Sequence, residues 1–179
     1  HLPLIRSRRA LGLVTVYEVN DNFLGVQSWN STARFYQNPA HQSLIAQLIR
    51  LCDGVQFSMP ELQKSFGCLN PHQAVFPNHL WEMPPVAPKP EPLTVGWGGS
   101  YGHLEDVEWM MPALEWMMET YPQVRLAIMS SPKMKSLFSW VPHGRLDFRP
   151  SADLDKYYSF LSQLHIGIAP LLPTEFNRC

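Results

Sequence analysis

Residues 93–102 read LTVGWGGSYG and join a predicted strand to a predicted helix. The apolar run Leu93–Trp97 is typical of a buried strand, and the residues from Val107 onward repeat apolar side chains at i, i+3, i+4 and i+7 spacing. Glycines between a strand and a helix let the backbone approach phosphate oxygens at the helix N-terminus. The stretch therefore predicts a nucleotide-binding α/β unit, and a tight turn that binds no ligand is the alternative.

The patterns of strand and helix alternate on both sides of this stretch. Strands are predicted at residues 13–19, 54–57, 74–76, 93–97, 124–129, 146–148 and 165–169. Helices are predicted after Pro39, from a Ser58–Glu61 capping box to Phe66, after Gly102 with a kink or restart at Pro112, before Trp140, and after a cap at Ser151 or Asp153. Such alternation predicts parallel sheets covered by helices.

A proline-rich segment divides the chain. Prolines occupy positions 84, 85, 88, 90 and 92, and such a run favours an extended, semi-rigid linker over a strand or helix. We therefore predict a first domain over residues 1–83, a linker over 84–92 and a second domain over 93–179. A surface loop within one domain is the alternative. The chain begins without methionine and stops in a polar segment, so we expect both domains to be incomplete.

Composition excludes several classes of function. Fourteen basic and fifteen acidic side chains give a formal net charge of -1, which gives no sign of a nucleic-acid partner. Three scattered cysteines form neither a disulfide framework nor a C-x-x-C pair, and the histidines form no zinc motif, so no metal is expected. No apolar run is long enough to span a membrane, and a reducing, cytoplasmic setting is the default expectation.

Common nucleotide and nucleophile motifs do not fit the glycine stretch. A G-x-G-x-x-G fingerprint would need glycine where Tyr101 stands, and the acidic residue expected after the next strand is replaced by Met129-Ser130-Ser131. The chain has no phosphate-binding G-x-x-x-x-G-K-[ST] loop and no G-x-S-x-G elbow. A dehydrogenase or a methyltransferase is therefore disfavoured.

Five short motifs occur along the chain in a characteristic order. They are Val16-Tyr-Glu-Val-Asn-Asp21, Phe57-Ser-Met-Pro-Glu-Leu62, Val75-Phe-Pro-Asn78, Val95-Gly-Trp-Gly-Gly-Ser100 with His103 and Asp106, and Ile166-Gly-Ile-Ala-Pro-Leu171 with Glu175-Phe-Asn-Arg178. Together they resemble the group-1 glycosyltransferases of the GT-B fold, particularly the branch that assembles bacterial surface polysaccharide and O-antigen.

The resemblance implies an α/β protein with two Rossmann-like parallel-sheet domains. A nucleotide-sugar donor would bind the C-terminal domain, and a saccharide or lipid-linked acceptor would bind the N-terminal domain across a cleft. Transfer would retain the anomeric configuration and would need no metal or other cofactor. The expected location remains the cytoplasm, and a peripheral contact with the inner face of the membrane is the alternative.

Carried over by position, the resemblance also assigns roles to residues of this chain. Glu175 would be the catalytic carboxylate, and Glu18 and Asp21 would face the acceptor. Donor-binding roles fall to a larger set: Gly98, Gly99 and Ser100 at the diphosphate with His103 nearby, Phe148, Arg149 and Pro150 at the nucleobase, and Phe176 and Asn177 near the sugar and phosphates.

The sequence departs from the family at the first loop of the second domain. Many group-1 enzymes place an arginine and a lysine there to neutralise the diphosphate, whereas this chain has Ser100 and His103. The departure favours an alternative, a non-catalytic module that binds nucleotide or carbohydrate on the same scaffold. The tail from Glu175 to Arg178 favours the enzyme.

Overall fold

The computed structural model describes residues 1–30, 32–80, 88–89 and 91–179. The chain divides into two compact units, one formed by His1–Leu80 with Pro173–Cys179 and one that ends at Leu172. Most of the predicted linker, residues 84–87 and 90, lies outside the described residues. Each unit has a parallel sheet of its own, as the alternation of strands and helices predicts.

The first unit is built on a three-stranded sheet of order β1-β2-β3, with parallel pairing throughout. Its core is a cluster of buried apolar side chains from the strands and from two of the helices: Val19, Ile45, Ile49, Val55, Phe57, Leu62 and Phe66. Its elements are α1 (Leu2–Ala10), β1 (Val16–Val19), α2 (Ala33–Tyr36), α3 (Pro39–Leu51), β2 (Gly54–Phe57), α4 (Pro60–Phe66), a 3₁₀-helix (Gly67–Leu69) and β3 (Gln73–Val75).

Local sequence explains how the helices of this unit begin. The side chain of Asn38 accepts a hydrogen bond from the backbone N–H of Ala40 and caps α3. The predicted capping box at Ser58 is wrong, because Met59 is the N-cap of α4 and no side chain caps it. The Ser58 hydroxyl instead donates to the carbonyl of Asn20, which joins the carboxyl ends of β1 and β2.

The second unit has a four-stranded parallel sheet of order β6-β5-β4-β7. One face is covered by α5 and the segment after β5, and the other is covered by α6. Its elements are β4 (Thr94–Gly98), a 3₁₀-helix (Tyr101–His103), α5 (Leu104–Thr120), β5 (Arg125–Ser130), a 3₁₀-helix (Pro132–Phe138), β6 (Leu146–Pro150), α6 (Leu154–Ser162) and β7 (Ile166–Gly167).

Two local predictions for this unit are resolved by the structure. Asp153, rather than Ser151, caps α6, since its side chain accepts a hydrogen bond from the backbone N–H of Lys156. The helix α5 runs through Pro112 without a restart. Pro112 lacks the N–H that would bond to the carbonyl of Glu108, and both residues are exposed on the solvent side of the helix.

The last seven residues, Pro173–Cys179, pack with the first unit, whereas the sequence analysis assigns them to a second domain of residues 93–179. Phe176 lies against the first unit's loop at Gly25, and Cys179 packs on the apolar cluster of that unit. The contact at Gly25 involves the backbone of Phe176, whereas the Cys179 side chain has apolar partners. A segment of seven residues carries no periodic pattern that would reveal such packing.

Candidate functional site

The carboxyl ends of β4, β5 and β6 meet at one edge of the second sheet. The register pairs Gly98 with Met129 on the neighbouring strand, and Ser130 with Pro150 on the next. Ligands of open α/β sheets bind outside this edge. We call the last residues of these strands and the segments that follow β4 and β5 the carboxyl edge; it comprises residues 98–103, residues 130–133 and Pro150.

The turn at Gly98 and Gly99 is fixed by its neighbours. The N–H of Gly99 donates to the carbonyl of Met129 at 3.0 Å, and the hydroxyl of the buried Ser130 donates to the carbonyl of Gly99 at 2.7 Å. The hydroxyl of Tyr157 donates to the carbonyl of Gly98 at 3.2 Å. These bonds hold the backbone of the turn in one conformation.

Packing explains why both positions are glycine. A Cβ atom at Gly98 would lie 2.6 Å from Cε2 of Tyr157, and one at Gly99 would overlap the indole of Trp97. The glycines therefore have a structural role whether or not a phosphate approaches the turn. This observation supports the tight-turn explanation and is compatible with the ligand explanation.

Ser100 and His103 follow the turn. The Ser100 hydroxyl accepts a hydrogen bond from the N–H of Gly102 at 3.2 Å and starts the 3₁₀-helix that leads into α5. Nδ1 of His103 lies 2.8 Å from Oδ2 of the buried Asp106, whose other oxygen accepts the backbone N–H of Leu172 at 2.8 Å. The structure thus brings the predicted Ser100 and His103 to the carboxyl edge together with Gly98 and Gly99.

The structure adds a cation that the sequence analysis missed. The Nζ atom of Lys133 lies 5.6 Å from the ring centroid of Tyr101, so its charge lies beside the 3₁₀-helix after the glycine turn. Lys133 comes three residues after the end of β5, and β5 pairs with β4, the strand that ends in the glycine turn. A lysine just after a strand predicted to neighbour β4 was the signal that could have identified it.

Phe148 and Arg149 do not line one cavity. Phe148 lines a cavity with Phe138 on one face of the sheet, while Arg149 lines another with Phe160 on the opposite face. The Arg149 guanidinium donates to the carboxylate of Asp147 at 2.7 Å and to Oε1 of Gln163 at 2.7 Å. Its charge is therefore paired within the unit. Pro150, the exposed end of β6, lies at the carboxyl edge. The backbone of Arg149 is in register with Met129 and Gly98, but its side chain is directed to Asp147 and Gln163.

The first unit has a cavity of about 390 Å³ beside the end of β1, a volume within the roughly 300–1,000 Å³ of small-molecule sites. Glu18 and Asp21 line it, as does Phe176 from the tail. The structure therefore brings together two residues predicted for the acceptor and one predicted for the donor. The remaining lining combines aromatic, apolar and polar groups: Tyr17, Val19, Asn20, Phe23, Val26, Thr32, Tyr36 and Ile45.

The other predicted tail residues also lie in the first unit. Glu175 is exposed to solvent next to Phe176, and the N–H of Asn177 donates to the hydroxyl of Thr174 at 3.1 Å. The structure thus places the predicted catalytic Glu175 and the predicted donor residues Phe176 and Asn177 in a different unit from the glycine turn.

Burial shifts the pKa of one tyrosine that lines the first-unit cavity. It raises the pKa of Tyr17 above its usual value of 10.0, and the nearby Tyr36 and Cys52 add to the increase. The Tyr17 hydroxyl therefore stays protonated and can act as a hydrogen-bond donor. Glu18 and Asp21, which line the same cavity, supply carboxylate acceptors.

Comparison with known proteins identifies the fold. Neither a protein-family profile nor a curated protein sequence matches this chain. The crystal structure of TarM matches 87% of the chain at a TM-score of 0.54 and 9% identity, and the chain covers 31% of TarM. A mutant O-GlcNAc transferase from Thermobaculum terrenum matches 97% of it at a TM-score of 0.52 and 11% identity, with 36% of that protein covered.

The fold is that of the GT-B glycosyltransferases. The two parallel sheets, one in each unit, agree with this assignment and with the sequence prediction of an α/β protein with two Rossmann-like domains. The chain spans about a third of the length of both similar structures. At 9% and 11% identity the likeness describes the architecture alone.

In residues 1–30, 32–80, 88–89 and 91–179, no group of three or more His, Cys, Asp or Glu side chains is placed to hold a metal ion. None of the helices in that part of the chain is both long and apolar enough to cross a bilayer. Cys52, Cys68 and Cys179 are free thiols.

Proposed function

We propose that the protein is a glycosyltransferase that moves a sugar from a nucleotide-sugar donor to a saccharide or lipid-linked acceptor in polysaccharide assembly. The donor would bind at the carboxyl edge of the second unit, and the acceptor in the cavity of the first. We also propose that the transfer retains the anomeric configuration of the sugar. The protein would act in the cytoplasm, and it would act at the inner face of the membrane if the acceptor is lipid-linked.

One observation carries the donor site: a fixed glycine turn stands at the carboxyl edge with two basic side chains beside it. Ser100 begins the helical segment there, His103 closes its first turn, and Lys133 lies over Tyr101. Backbone N–H groups at such a helix start favour negative charge. A nucleoside diphosphate has the charge and the oxygen acceptors that this edge can bind.

The chemistry of the edge suits a departing diphosphate. As the bond between the sugar and the phosphate oxygen breaks, negative charge collects on the diphosphate and positive charge on the sugar. Donors and cations that are already held in place stabilise the developing charge without reorganising. The hydrogen bonds from Ser130 and Tyr157 to the turn provide this rigidity.

The first-unit cavity suits a hydroxyl-rich acceptor. Carboxylates of Glu18 and Asp21 accept hydrogen bonds from hydroxyl groups, and aromatic rings such as Phe23 and Phe176 offer apolar faces. Glu175 is exposed beside Phe176. In keeping with the family resemblance, we propose that its carboxylate is the catalytic group that acts on the transferred sugar.

A non-catalytic module that binds nucleotide or carbohydrate is the second candidate. The pairing of Arg149 with Asp147 and Gln163 favours it, because this guanidinium is then engaged within the protein. Such a module would bind the same nucleoside diphosphates but would not consume the nucleotide-sugar.

A thermal-shift panel tests the proposal. UDP, GDP and ADP are compared with NAD and S-adenosylmethionine on the whole chain, and a ligand at 100 times its Kd adds about 2.7 kcal/mol of stability. Stabilisation by a nucleoside diphosphate supports the donor site, and release of diphosphate from the matching nucleotide-sugar separates enzyme from binding module. A shift with NAD or S-adenosylmethionine alone would contradict the proposal.

A further inference from the structure

A buried carboxylate holds the imidazole ring of His103 from one side. Nδ1 of His103 lies 2.8 Å from Oδ2 of Asp106, whose side chain is only 3% exposed. The other oxygen of Asp106 accepts the backbone N–H of Leu172. Since a carboxylate only accepts hydrogen bonds, this contact places a proton on Nδ1 of His103.

The opposite ring nitrogen is available to a ligand. Nε2 of His103 makes no hydrogen bond with any residue that the structure describes, and 35% of the side chain is exposed. The Trp97 indole packs edge-on against the ring, with the centroids 6.5 Å apart. Asp106 and Trp97 together restrict the ring to one orientation at the end of the glycine turn.

We propose that Asp106 is a positioning residue: it accepts a hydrogen bond from Nδ1–H of His103 and so directs Nε2, as an N–H donor in the doubly protonated ring, at a phosphate oxygen of a bound nucleoside diphosphate. The inference rests on the proposed function and adds to it the residue that orients the donor contact. When the ring carries its second proton, Nδ1–H donates to Asp106 and Nε2–H donates to phosphate. Both N–H groups then face an anionic oxygen, the stronger kind of hydrogen bond.

This arrangement accounts for the departure at the first loop of the second unit. Where an arginine or lysine would act as a permanent cation, this chain has a histidine whose orientation a buried carboxylate controls. The same carboxylate holds Leu172, the last residue of the second unit. Asp106 therefore links the ligand-facing ring to the point where the chain leaves the unit.

The tautomer of His103 tests the positioning role in the free protein. With ¹⁵N-labelled histidine, NMR should show a protonated Nδ1 in the wild type. In Asp106→Asn the amide oxygen still accepts the N–H of Leu172, while the amide nitrogen donates to Nδ1, so the proton should move to Nε2. A wild-type ring protonated only at Nε2, or the same tautomer in both proteins, would overturn the inference.

Affinity for UDP, measured by calorimetry, tests the ligand contact. His103→Asn should weaken UDP binding about tenfold to a hundredfold, the range for losing a charge-assisted hydrogen bond. Asp106→Asn should weaken it by a smaller factor, because its ring keeps an Nε2–H donor but loses the carboxylate that stabilises the doubly protonated ring. His103→Gln, whose amide nitrogen reaches near the position of Nε2, should keep part of the affinity. Glu108→Gln, which changes an exposed carboxylate on the same helix, should bind like the wild type.

The outcomes separate this inference from the proposed function. If the wild type binds UDP and Asp106→Asn and His103→Asn bind it equally well, the inference is wrong and the proposed donor site stands. If the wild type does not bind UDP, both are wrong. If Asp106→Asn fails to fold, His103→Asn and His103→Gln test the ligand contact instead, because the His103 side chain is partly exposed. Weaker UDP binding by His103→Asn than by His103→Gln supports the contact, and binding equal to that of the wild type contradicts it.

Discussion

The Nη1 atom of Arg145 lies 2.8 Å from the carbonyl oxygen of Met118 in the last turn of α5. The same guanidinium donates through Nη2 to the carbonyl of Tyr121 and through Nε to that of Val124. Carbonyls at a helix C-terminus lack partners within the helix, and a cation there also complements the helix dipole. Arg145 thus closes α5 and fixes the turn into β5.

Arg145→Met should therefore destabilise the second unit. The variant leaves three carbonyls without their charged donor, so we expect the free energy of unfolding to fall by about 2 kcal/mol. Urea denaturation followed by tryptophan fluorescence measures the loss. Arg145→Lys, which keeps the charge but cannot reach three carbonyls at once, should recover only part of it, and full recovery would show that charge alone matters.

Gly99→Ala should disturb the carboxyl edge. The new Cβ would overlap the indole of Trp97, and such overpacking costs about 1–3 kcal/mol. The melting temperature should drop and UDP affinity should fall with it. Gly167→Ala is the matched control, because a Cβ there meets no atom within 4 Å. Equal melting temperatures for Gly99→Ala and the wild type would show that the turn tolerates a side chain.

Lys133→Gln should weaken nucleoside diphosphate binding with little change in stability. Lys133 is exposed and contributes its charge beside Tyr101 at the carboxyl edge. We expect about a tenfold loss of UDP affinity, together with a weaker dependence on salt, since ionic strength screens exposed charges. Lys135→Gln, two residues further along the same 3₁₀-helix, should bind as the wild type does. Similar losses in both variants would indicate a general charge effect.

Asp53 should make the stability of the first unit sensitive to acid. The backbone N–H of Thr15 and the Arg9 side chain lower the pKa of Asp53 below its usual value of 3.8. A lowered pKa in the folded state stabilises the protein above the unfolded pKa, and this contribution is lost as the pH falls through the folded value. Melting temperatures recorded between neutral pH and the acid range should therefore fall less steeply in Asp53→Asn than in the wild type. Parallel curves would contradict this role.

The sequence predicts the scaffold because the scaffold depends on periodic patterns. Apolar runs identify β4 and β5, and their alternation with helical stripes requires parallel pairing. The glycine turn between β4 and α5 follows from composition alone. The carboxyl edge of the second unit was therefore predictable in position and in its backbone chemistry.

The contacts that complete the site depend on tertiary packing. Alternation along β6 could have shown that Phe148 and Arg149 point to opposite faces, but nothing local indicates that Gln163 joins Asp147 at the Arg149 guanidinium. Likewise, a short tail without periodicity does not reveal that Phe176 reaches the cavity beside Asp21. Lys133 is adjacent to the glycine turn only because β5 pairs with β4.

The most direct test of the proposed donor site locates UDP on the molecule. Amide resonances of the ¹⁵N-labelled chain are assigned and followed as UDP is added. We predict that the largest shifts occur at residues 98–103 and at Lys133, which belong to the carboxyl edge of the second sheet. Shifts confined to the first unit, or no shifts at millimolar UDP, would contradict the assignment of this edge to a nucleotide-sugar donor.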